Sequence, residues 1–239
     1  MSEPLIDVTG ARRRRARTRL LRRLKVAGVI AAVLTVIGAG VWVVYGSSWL
    51  RTEEVRVSGA DLTGADAVLE AAGVPLGEPL ASVDTNGVVA RVSELVAVAQ
   101  VRVSREWPAT LAIVVTEERP AIAIALEPVY VWVSAEGRVF HTSEERPDGV
   151  LIARGEIGDE ATLAALARVA ADLPQPVREQ ASYLKAGTTD SVTVMLADGR
   201  RVLWGSAEDG ALKASVIVPL LGVKADEYDV SAPTHPTTR

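Results

Sequence analysis

The chain has 239 residues, 49% of them hydrophobic, with 26 basic and 30 acidic side chains and no cysteine. That length holds one or two domains with ordinary apolar cores. The missing cysteine excludes disulfide stapling, thiol chemistry and cysteine metal sites.

In chain order, residues 1–25 form a basic tail, with Arg12, Arg13, Arg14, Arg15, Arg17, Arg19, Arg22, Arg23 and Lys25 set against Glu3 and Asp7. Residues 26–45, VAGVIAAVLTVIGAGVWVVY, carry no charge and one clearly polar side chain, Thr35. A helix rises about 1.5 Å per residue, so a run of this length covers a hydrocarbon core of roughly 30 Å. The segment reads as a transmembrane helix. From residue 46 onward 17 basic and 28 acidic residues follow. Basic residues flanking a span stay cytoplasmic, so a single-pass type II arrangement is expected, with the carboxyl-terminal part outside the cytoplasmic membrane. The arginine cluster abuts the span and lacks interleaved aromatics, which suits anionic lipid rather than nucleic acid. A cleaved signal peptide competes with this reading. However, the apolar run exceeds the usual length of about 7–15 residues and VYGSS is a poor cleavage site, so an uncleaved anchor is expected.

Beyond the span, Val55 and Val57 alternate in a short strand ended by Ser58-Gly59. Ala65, Val68, Leu69 and Ala72 share one helical face, with Thr63 as candidate N-cap and Gly73 and Pro75 as the stop. A second helix is expected from about Thr85 to Leu95, with Val88, Val92 and Leu95 inward. Val101 and Val103 then point opposite to Arg102 and Ser104, and Leu111, Ile113 and Val115 resume the alternation after a Trp107-Pro108 corner. Pro108 donates nothing to a ladder and extends Trp107, so the pair makes a fixed turn. Trp107 is expected to pack over the sheet edge or the helices, with a role as a partner contact as the competing reading. Arg119-Pro120 reads as a bend between domains, with Arg119 paired to Glu117 or Glu118. The order is β-α-α-β-β.

The downstream half opens with a hairpin, VYVWVSAEGRVFHTS, turning at Glu136-Gly137. Residues 160–173 form a helix with Leu163, Leu166, Ala170 and Leu173 on one face, ended by Pro174. SVTVMLADGRRVLWGS is a second hairpin turning at Asp198-Gly199, with Val192, Val194 and Leu196 inward. A last helix starts near Glu208, and Pro219 should kink or end it near Val218. A short strand, EYDVS at 227–231, precedes Pro233 and Pro236.

Chemistry is poorly represented. The two histidines, His141 and His235, stand apart, and neither HExxH nor G-x-S-x-G spacing occurs. The pairs Glu53-Glu54, Glu117-Glu118 and Glu144-Glu145 read as surface charges. No catalytic residue, cofactor, metal or small-molecule substrate is expected.

The stretch EEVRVSGA…GVPLGEPLASVDTNGVVARVSELVAVAQVRVSREWPATLAIVVTEERPAIAI closely resembles the POTRA domain of the FtsQ/DivIB family of bacterial division proteins. The G-x-P-L before the second helix, the V-x-V-x-R-x-W-P corner and the E-R-x-P exit carry the resemblance. It implies an α+β chain: a basic tail (1–25), a transmembrane helix (26–45), a POTRA domain (50–120), a second mixed α/β domain of FtsQ type (121–233) and a flexible tail (234–239). Trp107, Pro108, Arg119 and Pro120 would be structural corners of the POTRA domain. The resemblance also implies a bitopic, non-enzymatic scaffold at the division septum, linking early and late division proteins by binding external parts of partners like FtsB and FtsL. In related proteins the region of EYDVS is where FtsB-like partners dock. Tyr228, Asp229, Val230 and Ser231 are therefore the candidate partner-binding residues, as an edge strand that a partner extends. The competing reading of that strand has Tyr228 and Val230 closing the core. The alternative for the whole chain is a membrane-anchored extracytoplasmic hydrolase or sensor with a site of dispersed carboxylates.

Overall fold

The computed structural model describes residues 8–46 and 48–239, with side chains for 25–45 and 49–239. The first seven residues of the basic tail, the side chains of its arginines, and Ser47 at the competing cleavage point lie outside the described residues. Helix α1 (Val8–Gly46) runs without a break from the tail through the apolar segment. Its Lys25–Tyr45 stretch is long and apolar enough to cross a membrane, and none of its side chains is buried.

Two sheets follow. The smaller is built from β1 (Glu54–Ser58), β2 (Val98–Glu106) and β3 (Thr110–Glu117) in the order β1-β3-β2. Between its first two strands in sequence lie α2 (Ala65–Ala72) and α3 (Thr85–Ser93). The β-α-α-β-β order read from the periodicity is thus the observed one. Apolar faces predicted for these elements are buried: Val68 and Ala72 on α2, Val88 and Val92 on α3, and Leu111, Ile113 and Val115 on β3. Leu69, expected inward, is 38% exposed, Ala65 on the same face is exposed too, and Leu95 lies half-buried beyond the end of α3. At Gly59 the backbone turns with φ +75° and passes so close to β3 that a Cβ would lie 2.2 Å from the Val115 carbonyl oxygen. Only glycine meets both demands.

The larger sheet has nine strands. In chain order they are β4 (Ile122–Leu126), β5 (Val129–Val133), β6 (Val139–Ser143), β7 (Leu151–Arg154), β8 (Ala181–Lys185), β9 (Val192–Leu196), β10 (Arg201–Gly205), β11 (Glu227–Asp229) and β12 (Thr237–Thr238). They lie side by side as β12-β11-β10-β9-β8-β7-β4-β5-β6. β7 pairs parallel with both β4 and β8, β10 pairs parallel with β11, and the remaining pairs are antiparallel. Helices α4 (Glu160–Asp172), α5 (Gln175–Gln180) and α6 (Gly210–Leu220) supply apolar side chains to its core. Asp159 caps α4 by accepting from the Thr162 N–H at 3.1 Å. Leu163, Leu166, Ala170 and Leu173 are buried, as the helical spacing requires. Pro219 sits at the penultimate position of α6, which ends at Leu220, close to the expected stop near Val218. Backbone proximity divides the whole chain into two compact units. One takes the chain up to Arg56 with Gly73–Asn86 and Val103–Ile113; the other takes Val57–Ala72, Gly87–Arg102 and Val114–Arg239.

Two structural corners differ from expectation. Trp107, in the tight turn between β2 and β3, is 54% exposed rather than laid over a sheet or helix. The turn is three residues long, from Trp107 to Ala109, and Pro108 follows Trp107 through a cis peptide bond. Arg119 does not take Glu117 or Glu118 as its partner. Glu118 pairs with Arg138 at 2.6 Å, and Glu117 accepts backbone N–H groups from Asp61, Leu62 and Thr63. Thr63 therefore enters through its backbone, and Gly64 intervenes before α2. Burial opposes the charge on Glu117, but the donors of Leu62, Thr63 and Asp61 outweigh it and hold the carboxyl below its ordinary value.

Candidate partner-binding edge

The alternating residues of EYDVS meet a different neighbourhood from the one expected. β11 is not an edge strand. On one side it pairs parallel with β10, in the register Arg201 to Glu227, Val202 to Tyr228 and Leu203 to Asp229. On the other it pairs antiparallel with β12, Tyr228 facing Thr238 and Asp229 facing Thr237. The Val230 N–H donates to the Leu203 carbonyl at 3.0 Å, which carries the β10 pairing one residue further. Tyr228 and Val230 have no exposed surface. The expectation that they present an open binding face is corrected: alternation assigned them to one face, and that face is the core.

Tyr228 is held at its polar end as well. Its hydroxyl donates to the Val223 carbonyl at 2.8 Å and accepts from Arg200 Nη1 at 2.7 Å. The same guanidinium donates through Nη2 to Gln180 Oε1 at 3.0 Å and through Nε to Asp198 Oδ2 at 2.6 Å. The backbone and side-chain donors of Arg200 hold the Asp198 carboxyl below its ordinary range. Arg200 thus ties the β9–β10 turn, the end of α5 and the β11 core tyrosine together. Its position directly after Asp198-Gly199 was the only sequence signal for it, and that signal speaks of a turn rather than a bridge.

Asp229 and Ser231 have local duties. Asp229 Oδ1 accepts from the Ser231 N–H at 2.9 Å and from its hydroxyl at 2.6 Å, a side-chain turn that ends the strand. Glu227 pairs with Arg201 on β10. The sheet ends on β12 at this side and on β6 at the other. The Arg239 N–H donates to the Glu227 carbonyl at 2.9 Å and the Glu227 N–H donates back to Arg239 at 3.0 Å. In an antiparallel ladder such exchanges alternate along the strand, so the N–H and C=O of Thr238 point away from β11. Two residues of strand, Thr237 exposed and Thr238 half-buried, make up this border.

The carboxylate pairs do not converge on a centre. Glu54 pairs with Arg56 at 3.2 Å, and Glu117 and Glu118 have the structural partners given above. Among the described residues no three of His, Cys, Asp or Glu come together as a metal site.

Residues 50–118 match the POTRA domain of FtsQ type, and residues 124–228 match the C-terminal domain of cell division protein FtsQ/DivIB. The chain is 41% identical over 237 residues to cell division protein FtsQ of Streptomyces bingchenggensis (strain BCW-1), covering 94% of this chain and 88% of that one. It is 34% identical to cell division protein FtsQ of Streptomyces coelicolor (strain ATCC BAA-471 / A3(2) / M145), covering 100% and 99% of the two chains. Among solved structures, the major extracytoplasmic domain of the cell division protein DivIB from Geobacillus stearothermophilus aligns at 21% identity with a TM-score of 0.33. That alignment covers 42% of this chain and 87% of that one.

Proposed function

We infer the function from one premise: the chain belongs to the FtsQ/DivIB family of cell division proteins. It is a non-enzymatic scaffold of the division machinery, held by α1 as a single-pass anchor with its amino end in the cytoplasm and its two sheets outside. It gathers partners that resemble FtsB and FtsL through their external segments. The observation that carries this reading is the carboxyl-terminal border of the nine-stranded sheet, which ends on a two-residue strand whose outward backbone groups stand at Thr238. A strand from a partner would add there by main-chain hydrogen bonds, with alternate side chains giving selectivity.

The burial of Tyr228 and Val230 relocates the contact to be tested. A proline at Val230 would break the bond to Leu203 inside the sheet, whereas Thr238→Pro removes a donor that faces outward. The test titrates labelled external segments of the FtsB-like and FtsL-like partners onto the parent, Thr238→Pro and a form ending at Ser231. Binding that is lost in Thr238→Pro supports addition at β12. Binding that strengthens in the shortened form supports addition at β11 after the 232–239 segment leaves. Equal affinity for all three, with folding confirmed by circular dichroism, removes this border from the interface.

A further inference from the structure

We propose that the membrane-proximal end of the small sheet is a lipid-contacting rim, formed by Trp49, Leu76 and Trp107, that rests in the interfacial layer of the bilayer. The proposal builds on the reading of α1 as a membrane anchor. Among the described residues beyond the span, these three are among the most exposed large apolar side chains, at 83%, 64% and 54%. They come from three separate parts of the sequence, yet all belong to the same compact unit as α1.

Backbone bonds fix them at the point where the chain leaves the anchor. Thr52 donates to the Glu78 carbonyl and accepts from the Gly77 N–H, both at 2.8 Å, so the loop carrying Leu76 is clipped to the residues just after the span. Arg51 adds a bond from Nη1 to the Gly77 carbonyl at 3.0 Å and a bridge to Pro79. On the other side, the Glu53 N–H donates to the Ala109 carbonyl at 2.8 Å, which places the Trp107-Pro108 turn at the same end of β1. α1 and the Leu80–Ser82 turn approach within 8 Å, Cα to Cα. The rim thus sits beside the anchor rather than at the far end of the sheet.

The side chains fit the layer between hydrocarbon and water. Tryptophan is enriched there because its ring is apolar while its N–H needs a polar partner. Trp42 and Tyr45, both exposed near the end of the span, continue the same aromatic series. Electrostatics argue against a headgroup-charge mechanism. Glu53, Glu54, Glu78 and Glu106 outnumber Arg51, Arg56 and Arg105 around the rim, so anionic lipid would not strengthen the contact. Insertion of apolar side chains is the attraction that remains, and it orients the small sheet against the bilayer.

The absence of cysteine makes the test direct, since a single introduced cysteine labels at one position. The full chain is reconstituted in phosphatidylcholine vesicles with a nitroxide at Ile37→Cys in the span, Leu76→Cys on the rim, or Glu145→Cys on an exposed loop. Collision with oxygen, which concentrates in lipid, is compared with collision with a water-soluble nickel chelate. The proposal expects Leu76 to lose nickel collisions relative to Glu145 and to gain oxygen collisions. It expects that difference to shrink when Trp49 and Trp107 are both changed to serine, and to stay the same when phosphatidylglycerol is added. A lipid-buried Ile37 with Leu76 indistinguishable from Glu145 overturns the rim while the anchor stands. Leu76 shielded from both reagents overturns it in favour of a protein contact. A water-accessible Ile37 brings down the anchor and the rim together.

Discussion

Replacing Glu117 should unfasten the turn that leads into α2. The carboxylate accepts the Leu62 N–H at 2.8 Å, the Thr63 N–H at 2.7 Å and the Asp61 N–H at 3.1 Å. A hydrogen bond to a charged group contributes about 1.5–3 kcal/mol, but an exposed donor recovers most of its loss from water. Asp61 is exposed while Leu62 and Thr63 are half-buried, so two of the three bonds carry the effect. With Glu117 itself half-exposed, Glu117→Ala should cost about 2–3 kcal/mol. Glu117→Gln keeps one acceptor oxygen and turns an NH2 group toward the donors, and should cost about 1–2 kcal/mol. The sign of the pH dependence follows from the depressed carboxyl. A group whose folded value lies below its unfolded value stabilises fully above the unfolded value, near 4.5 for this carboxyl, and loses that contribution as pH falls through the folded one. The gap between parent and Glu117→Gln should therefore be widest at neutral pH and close on acidification below the ordinary carboxylate range. Urea unfolding at neutral and acid pH reads the gap, and hydrogen exchange at residues 61–63 locates it. Unfolding free energies at neutral pH that match within about 0.5 kcal/mol, with unchanged protection at 61–63, would refute the reasoning.

Four further outcomes are expected. Trp107→Ala should change stability by less than about 1 kcal/mol, since over half of the ring is already in contact with solvent in the isolated chain; a loss of the roughly 3 kcal/mol typical of core aromatics would mean the ring is packed. Tyr228→Phe should cost about 1–2 kcal/mol by leaving the Val223 carbonyl and Arg200 without the hydroxyl, and Tyr228→Ala about 3–5 kcal/mol, both read by chemical denaturation. Gly59→Ala should cost about 2–4 kcal/mol, because the new Cβ meets the Val115 carbonyl at a positive φ; a neutral result in the same assay would contradict the close approach. Removing residues 232–239 should leave the nine-stranded core folded, apart from β12, and raise hydrogen exchange at Asp226 and Glu227, whose N–H groups donate to Arg239.

Local order was determined by the sequence alone. A strand declares itself through a period of two and a helix through 3.6, so β1, α2, α3, β3, α4, β9 and β10 were legible, as was the apolar segment of α1. The G-x-P-L, W-P and E-R-x-P tokens added the family. β4 and β7 were not read as strands, and the reason is their place in the sheet. Both are interior strands: β7 pairs in parallel with β4 and β8, and β4 pairs in parallel with distant β7 on one side and antiparallel with β5 on the other, so IAIAL and LIAR are apolar nearly throughout. The same non-local pairing decided the candidate site. Alternation correctly put Tyr228 and Val230 on one face, but it could not say that β10 lies beside them, that β12 returns along the other side, or that Arg200 reaches the phenol. Trp107 shows the converse: its chemistry suggested packing, and only the closure of the β2–β3 turn left it in the open. Which face becomes core, and which strand becomes edge, depends on segments tens of residues away, whose approach has no period for a single sequence to display.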